Sequence, residues 1–152
     1  MLTIKETTVQ PIYHLIAILE DAKKGYLSAS ERIRDDVLAL LFERFGYQRG
    51  RFSSELKNIV SELKVPSSID QFTLSLLHRT WMDLKNTFKF GKKETIIHAC
   101  IQGEETAIKN YTTAIEQLDE DNELREILKR QLSEIKSVLN TMKEYSGSAV
   151  IQ

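Results

Sequence analysis

Apolar residues recur at three- and four-residue steps along four long stretches of this chain, at residues 8–34, 36–63, 92–118 and 121–145. That spacing places the apolar side chains on one face of an α-helix. A helix of about 25 residues is roughly 37 Å long at 1.5 Å per residue. Helices of matched length bury their apolar faces against one another, so the pattern predicts an all-α bundle.

A shorter periodic stretch at residues 70–89 follows Pro66 and carries Phe72, Trp81 and Phe88. Proline ends the preceding helix, so we expect the periodic stretch after it to belong to a separate, extra helix. The short turns at residues 35–36 and 119–122 predict two antiparallel helical hairpins. The long stretch between the hairpins allows a crossover connection, so we expect residues 1–152 to form a single four-helix-bundle domain with an extra helix in the crossover.

The composition excludes several classes of protein. A chain of 152 residues is long enough to build a core without disulfides, and its single cysteine, Cys100, forms no intramolecular one. A net charge of −1 argues against a nucleic-acid-binding surface. Because the sequence has no secretory signal pattern and no apolar run of about 18 residues, we expect no membrane span and a cytoplasmic location. Nucleotide-binding loops, zinc patterns and hydrolase motifs do not occur.

The chain resembles itself at two offsets. An offset of 85 residues aligns Glu20, Ala22, Tyr26, Ala29 and Glu31 with Glu105, Ala107, Tyr111, Ala114 and Glu116. An offset of 83 residues aligns Leu41, Glu43, Gln48 and Leu56 with Leu124, Glu126, Gln131 and Leu139. We interpret this as a duplicated helical hairpin, although two amphipathic helices also share apolar positions by chance.

Several segments resemble known proteins. The run from Gly103 to Tyr111 is similar to the glutamate-to-tyrosine helix segment of rubrerythrin and ferritin relatives. Four further segments extend the likeness: residues 19–26, Leu41-Phe42 with Gln48-Arg49, residues 78–85, and Cys100 with Gly103-Glu104-Glu105. Together they look like the uncharacterised bacterial family catalogued as domain of unknown function 2383. The resemblance covers residues 10 to 145 and implies a ferritin-like four-helix bundle without assigning an activity.

Ferritin relatives bind two metal ions through a glutamate on each of two helices and a Glu-x-x-His pair on each of the other two. At the corresponding positions this chain has Gln48-x-x-Arg51 and Gln131-x-x-Glu134. Arginine cannot bind a metal ion, and glutamine is a weak ligand. Glu104 stands seven residues before Tyr111, as the family glutamate does, but the same spacing before Tyr26 falls on Leu19, with Glu20 displaced by one. We therefore expect the metal-ligand pattern to be largely lost.

Two interpretations of the central polar residues follow. The first is a hydrogen-bonded polar core layer in a non-catalytic structural or interaction protein that needs no cofactor; its candidates are Glu20, Gln48, Arg51, Glu104, Glu105, Gln131 and Glu134. The second is an unconventional iron or manganese site with a stress-related role, in which Glu20, Glu104, Glu105 and Glu134 bind the metal. An apolar ligand between the helices is a third, weaker alternative.

The extra helix carries candidates for a contact between subunits. Tryptophan is enriched at binding hot spots, and Trp81 stands close to His78 and Asp83. We therefore expect a homo-oligomer, most simply a dimer, in which this helix lies at the interface.

Overall fold

The computed structural model of the protein describes residues 6–62 and 92–147. These residues form four helices and no strand: α1 (Glu6–Arg32), α2 (Asp36–Glu62), α3 (Lys93–Glu116) and α4 (Glu123–Gly147). The predicted all-α class is confirmed for this part of the chain, and the predicted helix ends differ by no more than two residues. The predicted extra helix at residues 70–89 lies outside the described residues, as do His78, Trp81 and Asp83.

Side-chain caps begin two of the helices. The backbone N–H of Leu38 donates to Oδ1 of Asp35 at 3.0 Å. The backbone N–H of Leu124 donates to Oδ1 of Asn122 at 2.9 Å. The first N–H groups of a helix have no partner within it, so these acceptors fix where α2 and α4 begin. Asp35, rather than Asp36, caps α2.

Two clusters of buried apolar side chains fill the bundle. α1 packs along α2, α3 packs along α4, and α1 also packs against α3. One cluster lies near the turn between α1 and α2, at what we name the α1–α2 end, and includes Ala29, Phe42, Ile97 and Met142. The other lies near the turn between α3 and α4, at the α3–α4 end, and includes Ile12, Leu56, Tyr111 and Leu128.

The two clusters also give the direction of each helix. α2 and α3 both contribute their N-terminal halves to the cluster at the α1–α2 end and their C-terminal halves to the other. A hydrogen-bonded ion pair of 3.0 Å between Lys93 Nζ and Asp35 Oδ2 joins the starts of these helices. α2 and α3 therefore run parallel, and Glu62 and Lys93 lie at opposite ends of the bundle. Helix ends placed in this way are what a crossover between two hairpins requires.

α1 and α2 approach closely at Gly46. A Cβ atom at this position would lie 2.9 Å from Cγ of Leu27 and 3.4 Å from the carbonyl oxygen of Lys23. Glycine removes that clash and so permits the close contact of the two helices. In the described part of the chain, no helix has an apolar stretch long enough to cross a membrane.

Candidate functional site

Polar side chains are buried in the middle of the bundle, between the two apolar clusters. Arg49, Ser53, Glu104 and Gln131 are the buried polar or charged residues of the described chain. Together with half-buried Glu20, which contacts Ser53, they form what we name the polar layer. Because burying an unpaired polar group or charge is costly, the partners of each member decide what this layer can do.

Arg49 on α2 and Glu104 on α3 form a bidentate pair. Nη1 of Arg49 donates to Oε1 of Glu104 at 2.6 Å, and Nη2 donates to Oε2 at 2.5 Å. The side chains are 0% and 3% exposed, so water does not screen the pair. Nε of Arg49 donates to Oε1 of neighbouring Gln48 at 3.2 Å. The planar guanidinium therefore satisfies both carboxylate oxygens of Glu104 in one fixed geometry.

The electrostatics of this pair favour the charged form of Arg49. Burial works against the charge of Arg49, but the carboxylate of Glu104 outweighs that effect and raises the pKa of the guanidinium. Burial also raises the pKa of the Cys100 thiol to about 12, with a further contribution from the charge of Glu104. Cys100 is therefore a protonated thiol at neutral pH and not a nucleophile.

Tyr26 lies beside the Arg49–Glu104 pair. The guanidinium carbon of Arg49 stands 5.8 Å from the centre of the Tyr26 ring, a cation–π distance. Burial, together with the negative charge of Glu104, raises the pKa of Tyr26 well above its ordinary value. Among the described residues its hydroxyl has no hydrogen-bond partner. Tyr26 therefore interacts with Arg49 through the face of its aromatic ring.

A second network joins α3 and α4 to α2. The hydroxyl of Tyr111 donates to Oε1 of Gln131 at 2.6 Å, and Nε2 of Gln131 donates to Oε1 of Glu55 at 2.7 Å. Nη2 of Arg130 donates to Oε2 of the same glutamate at 2.5 Å. This chain of bonds runs from a buried phenol to an exposed ion pair, so it satisfies the amide of Gln131 at both ends.

Glu20 on α1 is bound to α2 near the surface. Oε1 of Glu20 accepts from the hydroxyl of Ser53 at 2.7 Å and from Nζ of Lys57 at 2.5 Å. Partial burial opposes its ionisation, but these two partners outweigh burial and lower the pKa of Glu20. Its charge is therefore compensated by protein groups.

The seven residues predicted for the central layer separate into three groups. Glu104 and Gln131 are buried, and Glu20 and Gln48 are half-buried. Arg51, Glu105 and Glu134 are exposed, so assigning them to a core layer was wrong. Each residue along a helix turns the side chain by about 100°, and a glutamate directly after Glu104 therefore leaves the core.

Sequence reasoning missed Arg49, although the sequence carries a signal for it. Phe42, Arg49 and Leu56 follow at seven-residue steps, and all three are fully buried. A residue two turns from buried neighbours on both sides lies on the same helix face. The offset of 83 residues pointed instead to Gln48, which aligns with Gln131. A comparison of the chain with itself finds only positions where the two copies carry the same residue, and Arg49 has no identical residue at that offset.

The donor set does not fit a two-metal centre. Both carboxylate oxygens of Glu104 accept hydrogen bonds from Arg49, and Glu105 and Glu134 point to solvent. Within residues 6–62 and 92–147, no three His, Cys, Asp or Glu residues are placed to hold a metal ion. A cation at the polar layer would moreover meet the positive charge of Arg49. The predicted iron or manganese alternative therefore lacks a coherent ligand set in this part of the chain.

Comparison with known proteins identifies a family. The model described as Domain of unknown function (DUF2383) matches residues 7–117, which include α1 from its second residue and all of α2 and α3, but not α4. No curated protein and no solved structure is significantly similar to the chain. All the segments that carry the family resemblance lie within the matched residues.

Proposed function

The chain belongs to the Domain of unknown function (DUF2383) family, and from this premise we propose that it is a ferritin-like bundle without catalytic activity. Its polar layer holds the helices in register, and its surface makes the functional contacts. The observation that carries the proposal is the buried pair of Arg49 and Glu104, in which a guanidinium meets the glutamate at the family spacing before Tyr111.

The pair is suited to fixing helix register. Two parallel hydrogen bonds join α2 to α3 and need both side chains at matching heights. A slip of one helical turn, about 5.4 Å, would leave two charges buried without partners. Buried polar groups select one register in this way in other helical assemblies. A structural role for the layer therefore follows from its own chemistry.

The same pair argues against iron or manganese chemistry. For Glu104 to bind a metal ion, its oxygens would have to leave Arg49. The guanidinium would then be buried beside a cation, without a carboxylate to compensate either charge. In this proposal Arg49 supplies the positive charge that a metal ion supplies in di-iron relatives.

Two features support a ferritin-like, duplicated arrangement. α2 and α3 run parallel, as the crossover between two hairpins requires. Tyr26 on α1 and Tyr111 on α3 align in the internal repeat, and both are buried. They differ in their partners, since Tyr111 bonds to Gln131 whereas Tyr26 lies beside Arg49. We infer that the two hairpins diverged at the position that introduced Arg49.

Metal analysis tests the proposal. The protein is purified without chelator from cells supplied with iron and manganese, and both elements are measured per chain. We expect far less than one ion per chain, and no shift of the unfolding midpoint when ferrous or manganous ion is added. One or two ions per chain would overturn the proposal if Glu104→Gln removes them and Glu105→Gln, an exposed matched control, retains them.

A further inference from the structure

The outward face of α2 carries apolar side chains that the bundle does not cover. Val37, Leu40 and Tyr47 are exposed by 62%, 60% and 52%, and they are the large exposed hydrophobic residues of the described chain. Leu40 and Tyr47 are seven residues apart and so lie on one line along the helix. The buried line of Phe42, Arg49 and Leu56 faces the opposite way.

Charged residues flank this line with one sign on each edge. Asp36 and Glu43 each precede a member of the line by four residues, and both are exposed. On the other edge, Arg44 and Arg51 each follow a member by four residues and are also exposed. We name Asp36, Val37, Leu40, Glu43, Arg44, Tyr47 and Arg51 the α2 face. Its apolar centre thus has an acidic edge and a basic edge.

Within residues 6–62 and 92–147, the charges of the α2 face form no ion pair. These charges are those of Asp36, Glu43, Arg44 and Arg51. By contrast, the exposed Lys57 and Arg130 pair with glutamates of neighbouring helices. The α2 face therefore presents unused charge beside exposed apolar surface, a combination typical of an interaction surface.

We propose that the α2 face binds the α2 face of a second copy of this chain, with the two helices parallel about a two-fold axis. In that arrangement the acidic edge of each copy faces the basic edge of the other. Leu40 and Tyr47 then meet their own counterparts, and Glu43 of each copy lies beside Arg44 of the other. An antiparallel pair would instead set like-charged edges against each other, at a cost.

This inference rests on the proposed function, because it names the partner that the surface of the bundle contacts. It also moves the expected dimer contact from the extra helix to α2. The mass of the protein in solution, which tests the dimer, can be measured whatever the metal content. A monomeric protein without metal would therefore contradict the interface alone, and a dimer with bound metal would contradict the proposed function alone.

Sedimentation equilibrium over a range of protein concentrations tests the interface. We expect the wild type to dimerise and Leu40→Glu to remain monomeric. Glu43→Arg and Arg44→Glu should each weaken dimerisation by about tenfold or more, because each replaces two attractive contacts by repulsive ones. The double variant Glu43→Arg/Arg44→Glu should restore the wild-type dissociation constant. Glu105→Arg, at an exposed position of α3, is the control and should leave the dissociation constant unchanged.

The charge reversals can contradict the proposal in two ways. A double variant as weak as the single variants would exclude the Glu43–Arg44 contact. A wild type that stays monomeric would exclude the second copy as the occupant of the α2 face. If Leu40→Glu then also lowered the free energy of unfolding, the face would be covered by another part of the same chain.

A cysteine cross-link tests the orientation. A parallel pair brings residues 40 and 47 each beside its own counterpart, whereas an antiparallel pair does so for at most one of them. Leu40→Cys and Tyr47→Cys should therefore each form a disulfide-linked dimer under mild oxidation. Cys100 is buried and does not compete. Ser137→Cys, at an exposed position of α4, serves as the control and should stay monomeric. If either Leu40→Cys or Tyr47→Cys links no better than this control, the parallel arrangement is overturned.

Discussion

Arg49 contacts both carboxylate oxygens of Glu104, at 2.6 and 2.5 Å, and joins two parallel helices through the middle of the bundle. The pair separates the apolar cluster at the α1–α2 end from the cluster at the α3–α4 end. A fully buried arginine requires a carboxylate partner, because losing either member of the pair leaves the other as an uncompensated buried charge. The first prediction follows from that requirement.

Arg49→Met should lower the free energy of unfolding by about 3–5 kcal/mol, because it leaves Glu104 buried without a countercharge. Arg51→Met is the matched control, since Arg51 is exposed and should change stability by less than about 0.5 kcal/mol. Urea unfolding at low protein concentration measures both. Equal effects of the two substitutions would contradict the placement of Arg49 in the core.

Tyr111→Phe should lower the free energy of unfolding by about 1–2 kcal/mol. It removes the hydroxyl that donates to Gln131 and leaves a buried amide oxygen without a donor. Tyr47→Phe makes the same chemical change at an exposed position and should have little effect. The two urea midpoints, compared at equal slope, decide between a structural hydrogen bond and an incidental contact.

Asp21→Asn should change how stability depends on pH. Burial raises the pKa of Asp21 to about 6, although the charge of Lys24 partly opposes the shift. The unfolded carboxyl releases its proton near pH 4, so the folded protein holds an extra proton between roughly pH 4 and 6. Stability contributed by this group is therefore present below that window and lost as pH rises through it.

Against wild type, Asp21→Asn should gain about 1 kcal/mol in relative stability between pH 4 and 7, after allowance for the partial exposure of this side chain. Urea unfolding at several pH values measures the difference. A constant difference across the window would show that the environment of Asp21 does not oppose its charge.

Two glycines in helices should respond oppositely to alanine. Gly103 is exposed on α3, and a Cβ atom there would meet nothing within 4 Å, so Gly103→Ala should stabilise the protein by about 0.5–1 kcal/mol. At Gly46 the added atom would clash with Leu27, so Gly46→Ala should destabilise it despite the better helix propensity. Thermal unfolding of both variants tests whether α1 and α2 are as close as described.

The helices could be predicted closely because periodicity over about 25 residues is a strong signal. Both turns were also evident, since Asp35 and the acidic segment before α4 are typical of helix starts. The polar layer was harder to predict. Glu104 and Gln131 were found from motif spacing, but Glu105 was included although its side chain is turned about 100° from that of Glu104 and is exposed.

Arg49 was missed for a physical reason. Arginine is usually exposed, so a sequence-based prediction places it at the surface. A single sequence does not show that a carboxylate on another helix pairs with Arg49. The countercharge is 55 positions away, on α3. Long-range pairing of this kind depends on which helix faces which, and that information comes only with the packed structure.

A double-mutant cycle on Arg49 and Glu104 tests the central claim most directly, that these charges serve each other and thereby hold the bundle. The free energies of unfolding of the wild type, Arg49→Met, Glu104→Leu and the double variant are measured in urea. Each single variant should lose about 3–5 kcal/mol, and the double variant should recover most of that loss, with a coupling of at least about 2 kcal/mol. Additive losses, with no recovery in the double variant, would contradict the claim.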